Sequence, residues 1–348
     1  MYKKINISKE EKLLINILFK EDKLNKIAFD NIDYENVVKI ASSHLMLPSL
    51  YINLKRKKYT NYIAEELRNY LYEIYKLNRR RNKILLKEAK ELSVILNSNK
   101  IKHVFIKGTS NIIDGLYYDI GERMIGDIDI LVNNEQAEYT YSLLKKLDYK
   151  PEEDRHFFLD KIHHYNRQIN KNKIFAVEVH KKLAEKYTLD SANSKKIIKE
   201  KVILNKTRIP NKKHQLLINI YNYQLSDNGG LKLSYSYRNL YDSYLMLKND
   251  NKILERIKFD MLITKYLMIV DELKVFSFKS KNYKIKKTDL LRFRIKKNNK
   301  LYSKFDNLLV ESYRRLKWRP TQIKELFLNK EFRKYFFKKL LSKWFLTF

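Results

Sequence analysis

The chain has 348 residues, with 73 Lys and Arg against 40 Asp and Glu, and a formal net charge of +33. It has no cysteine, which excludes disulfides, thiolate metal ligation and cysteine catalysis and makes a reducing cytoplasm the expected location. No stretch approaches membrane-spanning length or reads as a cleavable leader, so a soluble, non-exported protein with a sizeable core is expected.

Residues 1–97 read as a helical region. Apolar residues recur at three and four spacing in EEKLLINILF, in YENVVKIASSHLMLPSLYINL and in the run from Asn61 to Leu96. IKHVFIK is short, β-branched and bounded by Gly108, as suits a buried strand. A helix over 109–118 follows, with Thr109 and Ser110 as capping types. DIGERMIG reads as a loop, DIDILV as a second strand and EQAEYTYSLLKKL as a second helix. HHYNRQI and KIFAVEVHKKL, parted by Asn170, Lys171 and Asn172, read as a β-hairpin.

The order strand, helix, strand, helix, hairpin places a small mixed-sheet α+β core at 98–183. It lies between the helical region 1–97 and a helical, basic region at 184–348. In the latter, KKHQLLINIYNYQL and SYRNLYDSYLMLK flank a loop at Asp227, Asn228, Gly229 and Gly230. The last run, EFRKYFFKKLLSKWFLTF, reads as a helix packed on the body or as an amphipathic helix with Trp344 and Phe345 anchored on anionic lipid. The basic charge attracts nucleic acid, nucleotides or anionic surfaces. The joint abundance of Lys, Asn and Ile also fits A/T-rich coding and a merely solvated surface.

Chemistry concentrates in the centre. In a strand, Asp127 and Asp129 share one face while Ile128 and Ile130 take the other, and Glu178 sits between Val177 and Val179. Acids are disfavoured in apolar strands, so three of them point to a divalent cation, Mg²⁺ or Mn²⁺, ahead of ordinary salt bridges. Lys107 and Gly108, at a strand-to-helix junction with the Thr109 and Ser110 hydroxyls, offer a phosphate-binding turn without the glycine framework of a Walker loop. Arg123 is expected to brace a phosphate or orient the loop, or else to pair with Glu122 or Asp119. His180 shares the Glu178 face as a hydrogen-bond partner, ligand or base acting on an acceptor, or as a half-buried histidine satisfied by backbone. Of His163 and His164, only one is expected to face the cleft.

At these residues the chain resembles the uncharacterised bacterial nucleotidyltransferase family of the DNA polymerase β-like superfamily. The likeness is carried by Lys107 and Gly108, Arg123, Asp127 and Asp129 within GDIDILV, and Glu178 and His180 within VEVH. It extends to SSHLMLPSL with His44 and Pro48, and to QLLINIYNYQL and YRNLYDSYLML with Arg238 and Asp242. The resemblance implies transfer of a nucleoside monophosphate from a nucleoside triphosphate to an acceptor hydroxyl, releasing pyrophosphate. Asp127, Asp129 and Glu178 would hold the metal, and Lys107 would meet the phosphates. The acceptor stays open among small molecule, protein and RNA. Two other classes remain: a glycosyltransferase whose Asp-x-Asp holds Mn²⁺ against a nucleotide sugar, and a non-catalytic, basic nucleic-acid-binding protein.

Overall fold

The structure is a computed structural model, described for residues 4–152, 163–183, 193–278, 284–330, 332–334 and 336–338. Trp344 and Phe345, in the last run, lie outside the described residues. Local signals start the first helices. The Ser8 hydroxyl accepts the Glu11 N–H at the head of α1 (Lys9–Phe19), and Asp33 accepts the Asn36 N–H before α2 (Tyr34–Ser43). Pro48 sits in the first turn of α3 (Leu47–Arg56), where its missing N–H has no helical partner to lose. The long α4 (Glu65–Ser98) then leads into the core.

The core sheet contains β1 (His103–Phe105), β2 (Asp127–Val132), β3 (Lys150–Pro151), β4 (Gln168–Ile169) and β5 (Ala176–His180), in the order β1-β2-β5-β4-β3. Strands β2 and β5 pair in parallel and the other neighbours are antiparallel, which makes the small mixed sheet of an α+β protein. α5 (Lys107–Ile113) follows β1 and α6 (Asn134–Lys146) follows β2. Ile128, Ile130, Val177 and Val179 pack on the second half of α4 and on α6. On the other face, Val104, Ile106 and Leu131 meet α7 (Ser194–Lys199) and Ile218 of α8 (Lys212–Tyr221). Acids replace these apolar side chains toward one end of that face.

The N- and C-terminal helices share one apolar core. Leu14 and Leu50 are buried in it with Tyr241 of α10 (Tyr237–Asn249), Leu267 of α11 (Met261–Leu273) and Phe293 of α12 (Lys287–Asn298). Nδ1 of His44, at the end of α2, accepts the Tyr237 N–H at 3.3 Å and so ties the first helices to α10. α13 (Lys300–Leu328) follows, and described helical residues continue beyond it at 330, 332–334 and 336–338. No described helix is long and apolar enough to cross a membrane.

Several elements differ from expectation. The helix expected over 109–118 stops at Ile113, because Gly115 takes a left-handed φ of 67° and Leu116 N–H bonds back to Asn111 O. A hairpin, β6 (Val202–Leu204) and β7 (Thr207–Ile209), interrupts the region expected to be helical. It turns through Asn205 and Lys206, both with positive φ, without any glycine. The strand expected from HHYNRQI is reduced to β4 and an isolated bridge between His164 and His180. After α8 the chain widens into a π-helix, Asn222–Ser226, and the expected loop at 227–230 contains the start of α9 (Gly229–Lys232), a single turn.

The loop between α5 and β2 is gripped from beneath. Asn78 Nδ2 donates to Gly121 O at 2.7 Å, and Asn82 Nδ2 donates to Arg123 O at 2.8 Å. Gly121 allows this approach, since a Cβ there would lie 2.6 Å from the Tyr75 ring. Glu122, in the same loop, is fully buried and accepts from Tyr241 Oη and from the Asp119 N–H, both at 3.0 Å. Burial pushes its pKa up to about 7, against the pull of the Tyr241 hydrogen bond. The folded state therefore holds this proton more tightly than the unfolded chain does. The stability it contributes is complete below the unfolded carboxylate range and is lost as pH rises through about 7. Wild type should lose on the order of 3 kcal/mol more than Glu122→Gln between pH 4.5 and pH 8. Urea unfolding of both proteins at the two pH values checks this; parallel behaviour contradicts it.

Candidate active site

The parallel register sets Asp129 of β2 beside Glu178 of β5, so alternation brings both carboxylates to the same face. Asp129 is only 3 % exposed. Its Oδ1 accepts a 2.6 Å hydrogen bond from Lys107 Nζ and lies 2.8 Å from His180 Nε2, which is also 3.4 Å from Glu178 Oε2. Burial opposes the Asp129 charge, but Lys107 and His180 outweigh it and hold its pKa well below the usual carboxylate range. Burial likewise opposes the Lys107 charge, and Asp129 outweighs it to raise the lysine pKa. In Glu178 the hydrogen bond with His180 overcomes burial and lowers the pKa.

Asp127 behaves differently. Burial first, then repulsion from Asp129 and Glu178, pushes its pKa up to about 6. Its Oδ2 is 3.8 Å from Nε of Arg167, a residue the sequence did not single out. The three carboxylates were expected to converge directly. The tight group is instead Asp129, Glu178 and His180, with ligand atoms all within 4.8 Å of one another, and Asp127 stands beside it on the same face. Two carboxylates and an imidazole at that spacing fit a divalent cation.

The phosphate turn also differs in detail. Lys107 adopts a left-handed φ of 57°, a costly conformation for a residue with a Cβ, at the junction from which its ammonium reaches Asp129. Gly108 is needed because a Cβ would meet Ile125 at 3.0 Å. Thr109 and Ser110, expected to face a phosphate, are buried outside the cavity lining. The Ser110 hydroxyl donates to Lys107 O at 2.8 Å, and Thr109 turns toward Asp127 O at 3.5 Å. The short α5 runs these side chains into the core, leaving Lys107, Gly108 and Asn111 at the surface of the cavity.

That cavity, of about 640 Å³, lies between the sheet and helices α8, α10, α11 and α13. Asp127, Asp129 and Glu178 line one side. Both His163 and His164 line it, because the backbone there is too irregular to alternate their side chains. Burial lowers both imidazole pKa values, that of His163 to about 3, so each is neutral near pH 7. Gln224, in the π-helix, lines the opposite wall; it is 1 % exposed and its amide has no hydrogen-bond partner among the described residues. A π-turn has no residue signature of its own, so Gln224 left no local signal by which to find it.

Arg123 pairs with neither Glu122 nor Asp119. Its Nε donates to both oxygens of Asp242 on α10, at 3.1 and 3.0 Å, and Tyr117 Oη donates to Asp242 Oδ1 at 2.8 Å. This buried pair ties the loop before β2 to the helical wall of the cavity. The family of uncharacterised nucleotidyltransferases matches the chain over residues 30–257. The chain belongs to this family. The match takes in the sheet, the carboxylates, the Arg123 to Asp242 link and Gln224, and ends before the α11 and α13 residues that complete the cavity wall. No curated protein matches the chain. Membership in a nucleotidyltransferase family fits a cavity that joins carboxylates and basic side chains.

Removing one partner from the buried pair leaves an uncompensated charge. Arg123→Met should destabilise the protein by about 3–5 kcal/mol, and adding Asp242→Leu should recover a large part of that loss. Urea midpoints of the single and double variants check this; equal stability of wild type and Arg123→Met contradicts it.

Proposed function

We propose that the protein is a metal-dependent nucleotidyltransferase that moves a nucleoside monophosphate from a nucleoside triphosphate to an acceptor hydroxyl and releases pyrophosphate. The observation that carries this reading is the set of three carboxylates on adjacent parallel strands, with Lys107 and His180 against Asp129, facing a cavity of about 640 Å³. Asp127, Asp129 and Glu178 would hold Mg²⁺ or Mn²⁺, with His180 beside them. When bound, that cation supplies neutralisation of phosphate charge and polarisation of the reacting phosphoryl group.

The chain's own residues carry the rest. Lys107, kept charged by Asp129, lies where it can meet the triphosphate. Glu178, ionised and hydrogen-bonded to His180, takes the proton of the acceptor hydroxyl as the new O–P bond forms at the α-phosphate. The bond from the α-phosphate to the bridging oxygen breaks, and its electron pair leaves with pyrophosphate. The neutral His163 and His164 flank the carboxylates without adding positive charge that would compete for them. The walls from α8, α10 and the π-helix bound the space around the reacting groups.

Incubation of each α-labelled nucleoside triphosphate with cell extract and Mg²⁺ or Mn²⁺ should label an acceptor fraction. Asp129→Asn should reduce labelling on the order of a thousandfold. Circular dichroism establishes that the variant is folded. Undiminished labelling by the folded variant contradicts the assignment.

A further inference from the structure

The turn after β1 does not provide the whole phosphate site that its sequence suggests. Thr109 and Ser110 point into the core, and Lys107 is already paired with Asp129. A triphosphate needs more positive charge than this, and the cavity lining includes a cation with no hydrogen bond or ion pair among the described residues.

That cation is Arg238, in the first turns of α10. It lines the same cavity as Lys107, Asp129 and Glu178, yet makes no hydrogen bond or ion pair among the described residues. The natural partner on its helix, Asp242, is already occupied: Arg123 donates to both its oxygens and the Tyr117 hydroxyl takes a third position. Arg238 therefore stands half-buried beside a second guanidinium. Burial, then the Arg123 charge, lowers its pKa from the ordinary arginine value, against the opposing pull of Asp242 and of Asp227, which lines the same cavity. A desolvated guanidinium with unused donors is suited to a planar, bidentate grip on phosphate oxygens.

We propose that Arg238 anchors the β- and γ-phosphates of the donor nucleotide, and hence the pyrophosphate that leaves. This inference rests on the nucleotidyl-transfer reading of the site. As the acceptor oxygen bonds to the α-phosphate, the electron pair of the breaking bond passes to the bridging oxygen of pyrophosphate. Arg238 meets the charge that develops on this leaving group. The assignment adds to Lys107 a phosphate grip from a helix about 130 residues further along the chain.

Calorimetric titration of the full chain in Mg²⁺ with inorganic pyrophosphate and with each of the four nucleoside triphosphates tests this. Arg238→Met should weaken both pyrophosphate and triphosphate binding by about tenfold or more, with partial rescue in Arg238→Lys. The unfolding midpoint of Arg238→Met should not fall, since no internal partner is lost. Triphosphates and pyrophosphate that bind Arg238→Met as tightly as wild type overturn the Arg238 assignment and leave the nucleotidyl-transfer reading standing. Loss of binding together with a fall in the midpoint also overturns it, by giving Arg238 a structural role. A wild type that binds none of these ligands overturns both readings.

Discussion

Asp129 is charged where water scarcely reaches it, and the architecture around the cavity is organised by that constraint. A buried carboxylate must be compensated or protonated. The compensation comes from both directions in sequence. Lys107 reaches it from the end of β1 through a left-handed backbone, and His180 reaches it from the end of β5. The parallel pairing of β2 with β5 is what makes the second contact possible: a one-residue slip would turn Glu178 and His180 to the apolar face. The apolar packing of Ile128, Ile130, Val177 and Val179 against α4 and α6 thus fixes the chemistry on the opposite face.

The second constraint is the attachment of the helical wall. Glu122 and Arg123 are adjacent in one loop but serve different partners on α10, Tyr241 and Asp242. The backbone of the same loop is held from α4 by Asn78 and Asn82. Since the first helices pack into a common core with α10 and α11, the cavity depends on chain segments near both ends of the family match and, in α11, beyond it. The α/β core supplies carboxylates, and the helices supply Arg238 and Gln224.

The parts legible in the sequence are those governed by local pattern. DIDILV alternates acid and aliphatic residues strongly enough to place β2 and its two faces, and the three-and-four apolar spacing in residues 61–96 places most of α4. The helix end after β1 was also available in principle, since the Asp114-Gly115 pair marks the left-handed stop that shortens α5. Less accessible was the hairpin at β6 and β7, whose turn uses Asn205 and Lys206 where glycine would have been the usual signal. Long-range choices left no local trace. Arg123 has acidic neighbours at 119 and 122 yet pairs with Asp242, and the alternation that would separate His163 from His164 fails where the strand is irregular. Thr109 and Ser110 have the right chemistry for phosphate, but the direction of α5 buries them.

The central claim is that Asp127, Asp129 and Glu178 hold the cation that acts on a nucleoside triphosphate in this cavity. Its most direct test is a crystal grown with Mn²⁺ and a non-hydrolysable nucleoside triphosphate, with diffraction recorded at the manganese edge. An anomalous peak is expected within coordination distance of these carboxylates, with the α-phosphate beside it. A nucleotide in the cavity with no manganese at the carboxylates, or manganese bound only elsewhere, would contradict it.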